Sequence, residues 1–193
     1  MLRWLYDWTM GLAAHRNAGL ALAGVSFAES SVFPIPPDIL LIPMVLAKRA
    51  MAWVYATICT AASVVGGLAG WLIGAFLFET VGQPVLQFYG YTEQFASFAE
   101  RYNAHGAWIV LIAGVTPFPY KVITIASGAT GLSLGVFLAA SLMARGLRFY
   151  LVAALLWWFG PPVRAFIERR LGLLFTLFVI LLIGGFIVAR YML

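Results

Sequence analysis

Long apolar stretches fill most of this chain, and short polar breaks divide them in a repeating order. Residues 18–47 are apolar except for Glu29, Asp38, the Lys-free turn around Pro34, Pro36 and Pro37, and Pro43. Residues 50–78 carry no charge and predict an intact membrane span. Residues 79–105 are the most polar, with Glu79, Glu93, Glu100 and Arg101, and their apolar positions predict a helical connection lying on the surface. Residues 106–131 are apolar again but broken at 116–121, and residues 134–158 form a span that contains Arg145 and Arg148. A basic loop at 160–170 leads to a last span at 171–191, where residues 171–189 are uncharged and long enough to cross the hydrocarbon core. At the other end, Trp4, Leu5, Trp8 and Leu12 share one face of residues 1–17, which predicts a short amphipathic helix in the interface.

The two breaks resemble each other. The first reads Phe33-Pro34-Ile35-Pro36-Pro37-Asp38 and the second Thr116-Pro117-Phe118-Pro119-Tyr120-Lys121. No regular helix runs through either, because each proline lacks an N–H and clashes with the preceding turn. Irregular backbone at membrane depth needs protein or water around it. Paired breaks in corresponding halves point to a transport site.

Loop charges indicate how the broken segments run. If both are re-entrant hairpins, Arg3, Arg16, Lys48, Arg49, Arg164, Arg169 and Arg170 share one side, and Arg101 and Arg190 lie on the other. That bias places the N-terminus in the cytoplasm. Each hairpin is then followed by one span, and the two units have opposite orientation. A shift of 83 residues superposes Pro34 on Pro117, Pro36 on Pro119, Asp38 on Lys121 and Ile42 on Ile125. The expected fold is an all-α integral membrane protein built on this inverted repeat, with the N-terminal amphipathic helix and a C-terminal transmembrane helix added.

Composition agrees with a membrane protein and excludes other classes. The 193 residues are 63% hydrophobic and 10% charged, with a mean hydropathy of +0.96; a soluble domain of this length could not bury so much apolar surface. Arg3, Asp7, His15 and Arg16 interrupt the N-terminus, so it does not read as a cleaved signal. The net charge of +5 is scattered, with no basic stripe for nucleic acid. The lone Cys59 has no internal disulfide partner. Residues 131–135 match Gly-x-Ser-x-Gly, but no strand precedes them and no base is in reach. Metal-binding and nucleotide-binding motifs are absent, so no cofactor, metal or enzyme activity is expected.

Five charged residues fall within apolar segments: Glu29, Asp38, Lys121, Arg145 and Arg148. At about 2.5–3.5 kcal/mol each on insertion scales, they must face one another or water, and they mark a functional site by default. Three cations face two anions, which leaves one positive charge for an anion such as phosphate. Arg145 and Arg148 share a helical face, and with Lys121 they are the candidate phosphate ligands. Glu29 and Asp38 are candidates to bind and release a coupling proton. The structural alternatives are that the arginines only neutralise the carboxylates, or that the carboxylates cap helix ends at the break. Gly66, Gly70 and Gly74 form a small-residue ridge for helix packing, within a subunit or between subunits of a homo-oligomer.

In their order along the chain, Glu29 with the Phe33–Asp38 run, the Gly66, Gly70 and Gly74 span, the Pro117-Phe118-Pro119-Tyr120-Lys121 hairpin and Arg145-Gly146-Leu147-Arg148 resemble the DedA family. These bacterial inner-membrane proteins share the VTT (SNARE-associated) domain with eukaryotic lipid scramblases. Within it the chain looks most like a short branch with a Pro-x-Pro-[Tyr/Phe]-Lys hairpin. The resemblance implies two facing re-entrant hairpins and movement of phospholipids or polyprenyl phosphates between leaflets, driven by the proton motive force. Acidic residues of the first hairpin would correspond to Glu29 and Asp38, and the basic residue of the second to Lys121, helped by Arg145 and Arg148. Many members bracket the second hairpin's proline with arginines; here Thr116 and Val122 stand around Pro119. The expected function is therefore a lipid translocase. The alternatives are an ion or small-solute transporter using the same site, and a non-transporting scaffold assembled through the glycine ridge.

Overall fold

The computed structural model describes residues 17–32, 36–116, 118–160 and 162. The expected N-terminal amphipathic helix, most of the 160–170 loop and the last span lie outside the described residues, as do Pro34 and Pro117. Every regular element among the described residues is helical. Helix α1 (Ala18–Ser31) and α2 (Asp38–Ala47) flank the first break. A 3-10 turn at Arg49–Met51 leads into α3 (Ala52–Leu77). A π turn at Phe78–Gly82 joins α3 to α4 (Gln83–Tyr89). Helices α5 (Thr92–Ala104), α6 (Gly106–Val115) and α7 (Tyr120–Ala129) follow, and α8 spans Leu134–Gly160.

Two continuous helices are long and apolar enough to cross a membrane: Arg49–Tyr89 and Leu134–Gly160. The first continues eleven residues past the expected end at 78, through the π turn. The reason is local. Pro84 cannot donate to the preceding turn, and the wider π turn just before it absorbs the ring without breaking the helix. The polar connection is broken in its middle, at Gly90, whose φ of 71° closes the C-terminus of α4. In α5, Phe95, Phe98 and Tyr102 recur on one face; Phe95 stacks on Phe78 with 4.5 Å between ring centroids.

The helices beside the breaks are short. With 14, 10, 10 and 10 residues, α1, α2, α6 and α7 reach about 21 Å at most, less than a hydrocarbon core of about 30 Å. Thr116, which precedes Pro117, is extended (φ −78°, ψ 167°), as the following ring demands. Pro119 is also extended and starts α7. Pro36 and Pro37 lead into α2, whose first turn holds Asp38.

The long helices α3 and α8 run antiparallel, since Thr57 meets Tyr150, Ser63 meets Arg145 and Trp71 reaches Leu132. The core divides in two along them. Leu22, Leu41, Met44 and Cys59 of the first half pack with Phe149 and Ala153 of α8. Val110, Tyr120 and Ile123 of the second half pack with Phe137 and Ala140, nearer the start of α8. Each half thus sets a pair of short helices and the break between them against the two antiparallel long helices. Tyr102, in the connection, ties the second half down through its hydroxyl to Ser127 at 2.9 Å. Burial pushes that hydroxyl above its ordinary pKa, so it stays neutral.

The glycine ridge is where both halves touch α3. A Cβ at Gly66 would strike the Phe27 carbonyl of α1, and one at Gly74 the Ile125 carbonyl of α7. Gly70 lies between them, against Thr124 and the Ser30 carbonyl. Gly128 of α7 faces the Trp71 carbonyl in return. All three ridge glycines are buried by the chain's own helices, so the ridge leaves no surface for another subunit.

Gly74→Val is expected to destabilise the fold by about 1–3 kcal/mol through backbone overpacking, while Gly24→Ala, which meets nothing within 4 Å, is neutral. Thermal unfolding in detergent checks this; equal midpoints for the two variants would contradict the packing.

Candidate functional site

Arg145 is the largest fully buried side chain, and it sits where the two cores meet. Its position on α8 aims it between α1, α3 and α7. One guanidinium nitrogen, Nη2, donates to Glu29 Oε2 at 2.5 Å, and Nε donates to Ser63 Oγ at 2.6 Å. Ser30 Oγ lies 2.5 Å from Ser63 Oγ and donates to the same Glu29 oxygen at 3.0 Å. These donors fit one direction: Arg145 to Ser63, Ser63 to Ser30, Ser30 to Glu29, with Arg145 also closing on Glu29 directly. The guanidinium carbon lies 4.7 Å from the Tyr120 ring centroid and 4.8 Å from that of Phe149. Tyr120 in turn donates to Ser141 Oγ of α8 at 2.5 Å.

A second ion pair lies one helical turn further on α8. Arg148 Nη2 donates to Asp38 Oδ2 at 2.5 Å, and Nη1 donates to the Thr116 carbonyl at 3.0 Å. One guanidinium therefore ties the end of the first break to the start of the second. The reverse tie comes from Lys121, whose Nζ donates to the Val32 carbonyl at 3.4 Å. Thr124 Oγ1 adds a third link, donating to the Ser30 carbonyl at 3.1 Å.

The pairs differ in burial. Side chains of Arg145 and Glu29 are 1% and 14% exposed; those of Arg148 and Asp38 are 17% and 21% exposed. The first pair is a closed interior frame and the second lies at its rim. Lys121 is half-buried and makes no ion pair among the described residues. Two buried polar atoms, Asp38 Oδ1 and Arg145 Nη1, have no hydrogen-bond partner among the described residues.

All five sequence-predicted charges thus converge. Both arginines stand on carboxylates. Asp38 and Glu29 make no helix-capping hydrogen bond: Asp38 occupies the first turn of α2, where its charge suits the helix dipole, and its oxygen serves Arg148. Pro36, Pro37 and Pro119 shape the backbone around the cluster and take no part in it. The hydroxyls Ser30, Ser63, Thr124 and Ser141 and the ring of Tyr120 were not singled out. Ser63 was readable, since it precedes Gly66 and Gly70 by three and seven residues and so shares their face. Among the described residues, no three His, Cys, Asp or Glu side chains are grouped to hold a metal ion.

Glu29→Ala strands a buried guanidinium and is expected to cost about 3–5 kcal/mol. The double variant Glu29→Leu with Arg145→Leu removes both charges and should recover most of that loss. Chemical unfolding in detergent measures both; a single variant as stable as the parent would remove the frame's structural role.

The chain is 35% identical over 186 residues to an uncharacterized protein of Haemophilus influenzae, with 96% of each chain covered. It is also 35% identical over 186 residues to an uncharacterized protein of Histophilus somni, covering 96% of this chain and 97% of the relative. No solved structure gives a significant match. The family description that matches is the VTT domain, over residues 35–157, which takes in the end of the first break, α3, the second break and all but the end of α8. Together with two apolar helices of membrane-crossing length, that match identifies the chain as a membrane protein of the VTT-domain (DedA) family.

Proposed function

We propose that the protein is a lipid translocase, flippase-like or scramblase-like, that moves a phosphate-bearing lipid between the leaflets of the bacterial inner membrane. The substrate class is a membrane phospholipid or polyprenyl phosphate. One observation carries this reading. Glu29 is taken by Arg145 and Asp38 by Arg148, so of the five charges Lys121 is the cation left over, with only a carbonyl contact among the described residues. A phosphate group balances that charge. Lys121 and the open edge of Arg148 hold it, and Arg145 keeps the frame that joins the hairpins. The apolar tail stays in lipid, which a narrow polar groove permits.

Protons supply the alternation. A proton taken by Asp38 frees Arg148 and raises the local positive charge, which strengthens the hold on phosphate. Its loss returns Arg148 to the carboxylate and weakens that hold. Glu29 can act likewise only when the interior frame opens. The four short helices beside the breaks support re-entry, since each falls short of a full crossing and the breaks meet through Lys121, Arg148 and Thr124. The Pro119-Tyr120-Lys121 run fits the short branch of the family.

Two measurements test the reading. In proteoliposomes, Lys121→Ala should slow movement of a labelled phospholipid or polyprenyl phosphate at least about tenfold, the loss of one charge-assisted phosphate contact, while Lys121→Arg keeps most of it. A Lys121→Ala protein as fast as the parent ends the phosphate assignment; ion flux without lipid movement points to the solute-transporter reading. In a Cys59→Ala background, a cysteine at position 48 should react with impermeant label from the cytoplasm and one at position 104 from outside. Labelling of both from one side contradicts the two-hairpin topology.

A further inference from the structure

A cavity lies away from the ionic network, where the polar connection meets the C-terminal end of α7. It has a volume of 630 Å³, between the π turn, α4, α5 and the C-terminal end of α7. Trp71, Phe78 and Phe95 give it aromatic walls, and Gln83 and Gln87 bring amides. Glu79 is the one ionisable side chain among the described residues that line it. The side chains of Glu79, Gln83 and Gln87 have no hydrogen bond or ion pair among the described residues.

The walls are built, not incidental. A Cβ at Gly82 would come within 2.7 Å of the Phe78 ring, so the glycine lets that ring lie over the π turn and stack on Phe95. Trp71 is fixed by its indole N–H, which donates to the Leu132 carbonyl at 3.1 Å. Helix α7 ends at this cavity, with Ala129, Thr130 and Gly131 in its lining, so the negative end of its dipole faces inward. A carboxylate, a helix C-terminus and aromatic rings all favour a cation, and among the described residues no basic side chain lines the space.

Depth adds the second half of the argument. About 20 helical residues cross the hydrocarbon core. Counted from Arg49, that brings Trp71 to the far boundary and Glu79 into the head-group layer. The Trp71 end of the cavity thus lies at the edge of the hydrocarbon core, and its carboxylate sits at polar depth.

We propose that this cavity binds the ammonium group of an amphiphile, a primary or quaternary amine carried on an apolar tail. Glu79 supplies the counter-charge, Trp71 and Phe95 the aromatic surface, and the amides of Gln83 and Gln87 orient neighbouring polar atoms. The same chemistry is offered by an amine-bearing lipid head group and by a free alkylamine. The inference does not rest on lipid translocation at the ionic network.

Calorimetric titration of the full chain in dodecyl maltoside tests it, with dihexanoyl phosphatidylethanolamine, hexylamine and dihexanoyl phosphatidylglycerol as probes. The two amines should saturate the protein and the glycerol lipid should not. Glu79→Gln should raise the Kd of both amines about tenfold, the size of one partly exposed charge and ring contact. Ala96→Phe, which keeps the charge but puts a ring on the cavity wall, should do the same. Tighter binding of the phospholipid than of hexylamine identifies a lipid source; equal binding identifies a free amine. Equal binding of the glycerol lipid, or amine binding untouched in both variants, overturns the proposal.

Discussion

A guanidinium shut away from water is the constraint on which this structure depends. An unpaired buried ion costs several kcal/mol, more than any single packing contact in the protein offers. Arg145 is fully buried, so its partners must arrive from wherever the chain can bring them. They come from α1 (Glu29), α3 (Ser63) and α7 (Tyr120), with Phe149 on its own helix. A hairpin displaced by one residue would withdraw one of these groups. The charge therefore fixes the register of α1 and α7 against both long helices.

That arrangement is possible only because the backbones come very close. Gly66 and Gly74 let α3 approach the carbonyls of Phe27 and Ile125, and Gly70 admits Thr124 at the point where the hairpins meet. At such separation a serine or threonine hydroxyl reaches across a helix pair, as Ser30 does to Ser63 and Thr124 does to the Ser30 carbonyl. Side chains in place of the glycines would push the helices apart and lengthen those bonds beyond use. Packing and electrostatics are thus one device: the ridge sets the distance, and the hydroxyls and charges exploit it.

Burial grades the site from frame to rim. The Arg145–Glu29 pair is nearly sealed, whereas Arg148–Asp38 keeps some exposure and Lys121 has no carboxylate among the described residues. Each rim cation also touches a carbonyl beside the opposite break, Arg148 at Thr116 and Lys121 at Val32. A change of charge at the rim is therefore felt by both hairpins at once. The aromatic cavity beside Glu79 lies at the far end of α7 and makes no use of these charges.

Much of this was legible along the chain. Apolar run lengths marked the helices at 50–78 and 134–158, and prolines and charges marked both breaks, because proline geometry and the cost of membrane charge are local properties. The convergence of five isolated charges followed from that cost, since each needed a partner. Which carboxylate met which arginine did not follow: Glu29 and Arg145 are 116 residues apart, and their pairing depends on the register of packed helices. The same holds for Ser30, Thr124 and Tyr120, ordinary residues until folding sets them beside a charge. The ridge was visible as a pattern, but its partner was not, because small residues announce close contact without naming the surface that makes it. Run lengths and breaks are written in neighbouring residues; partners and burial exist only once distant segments share space.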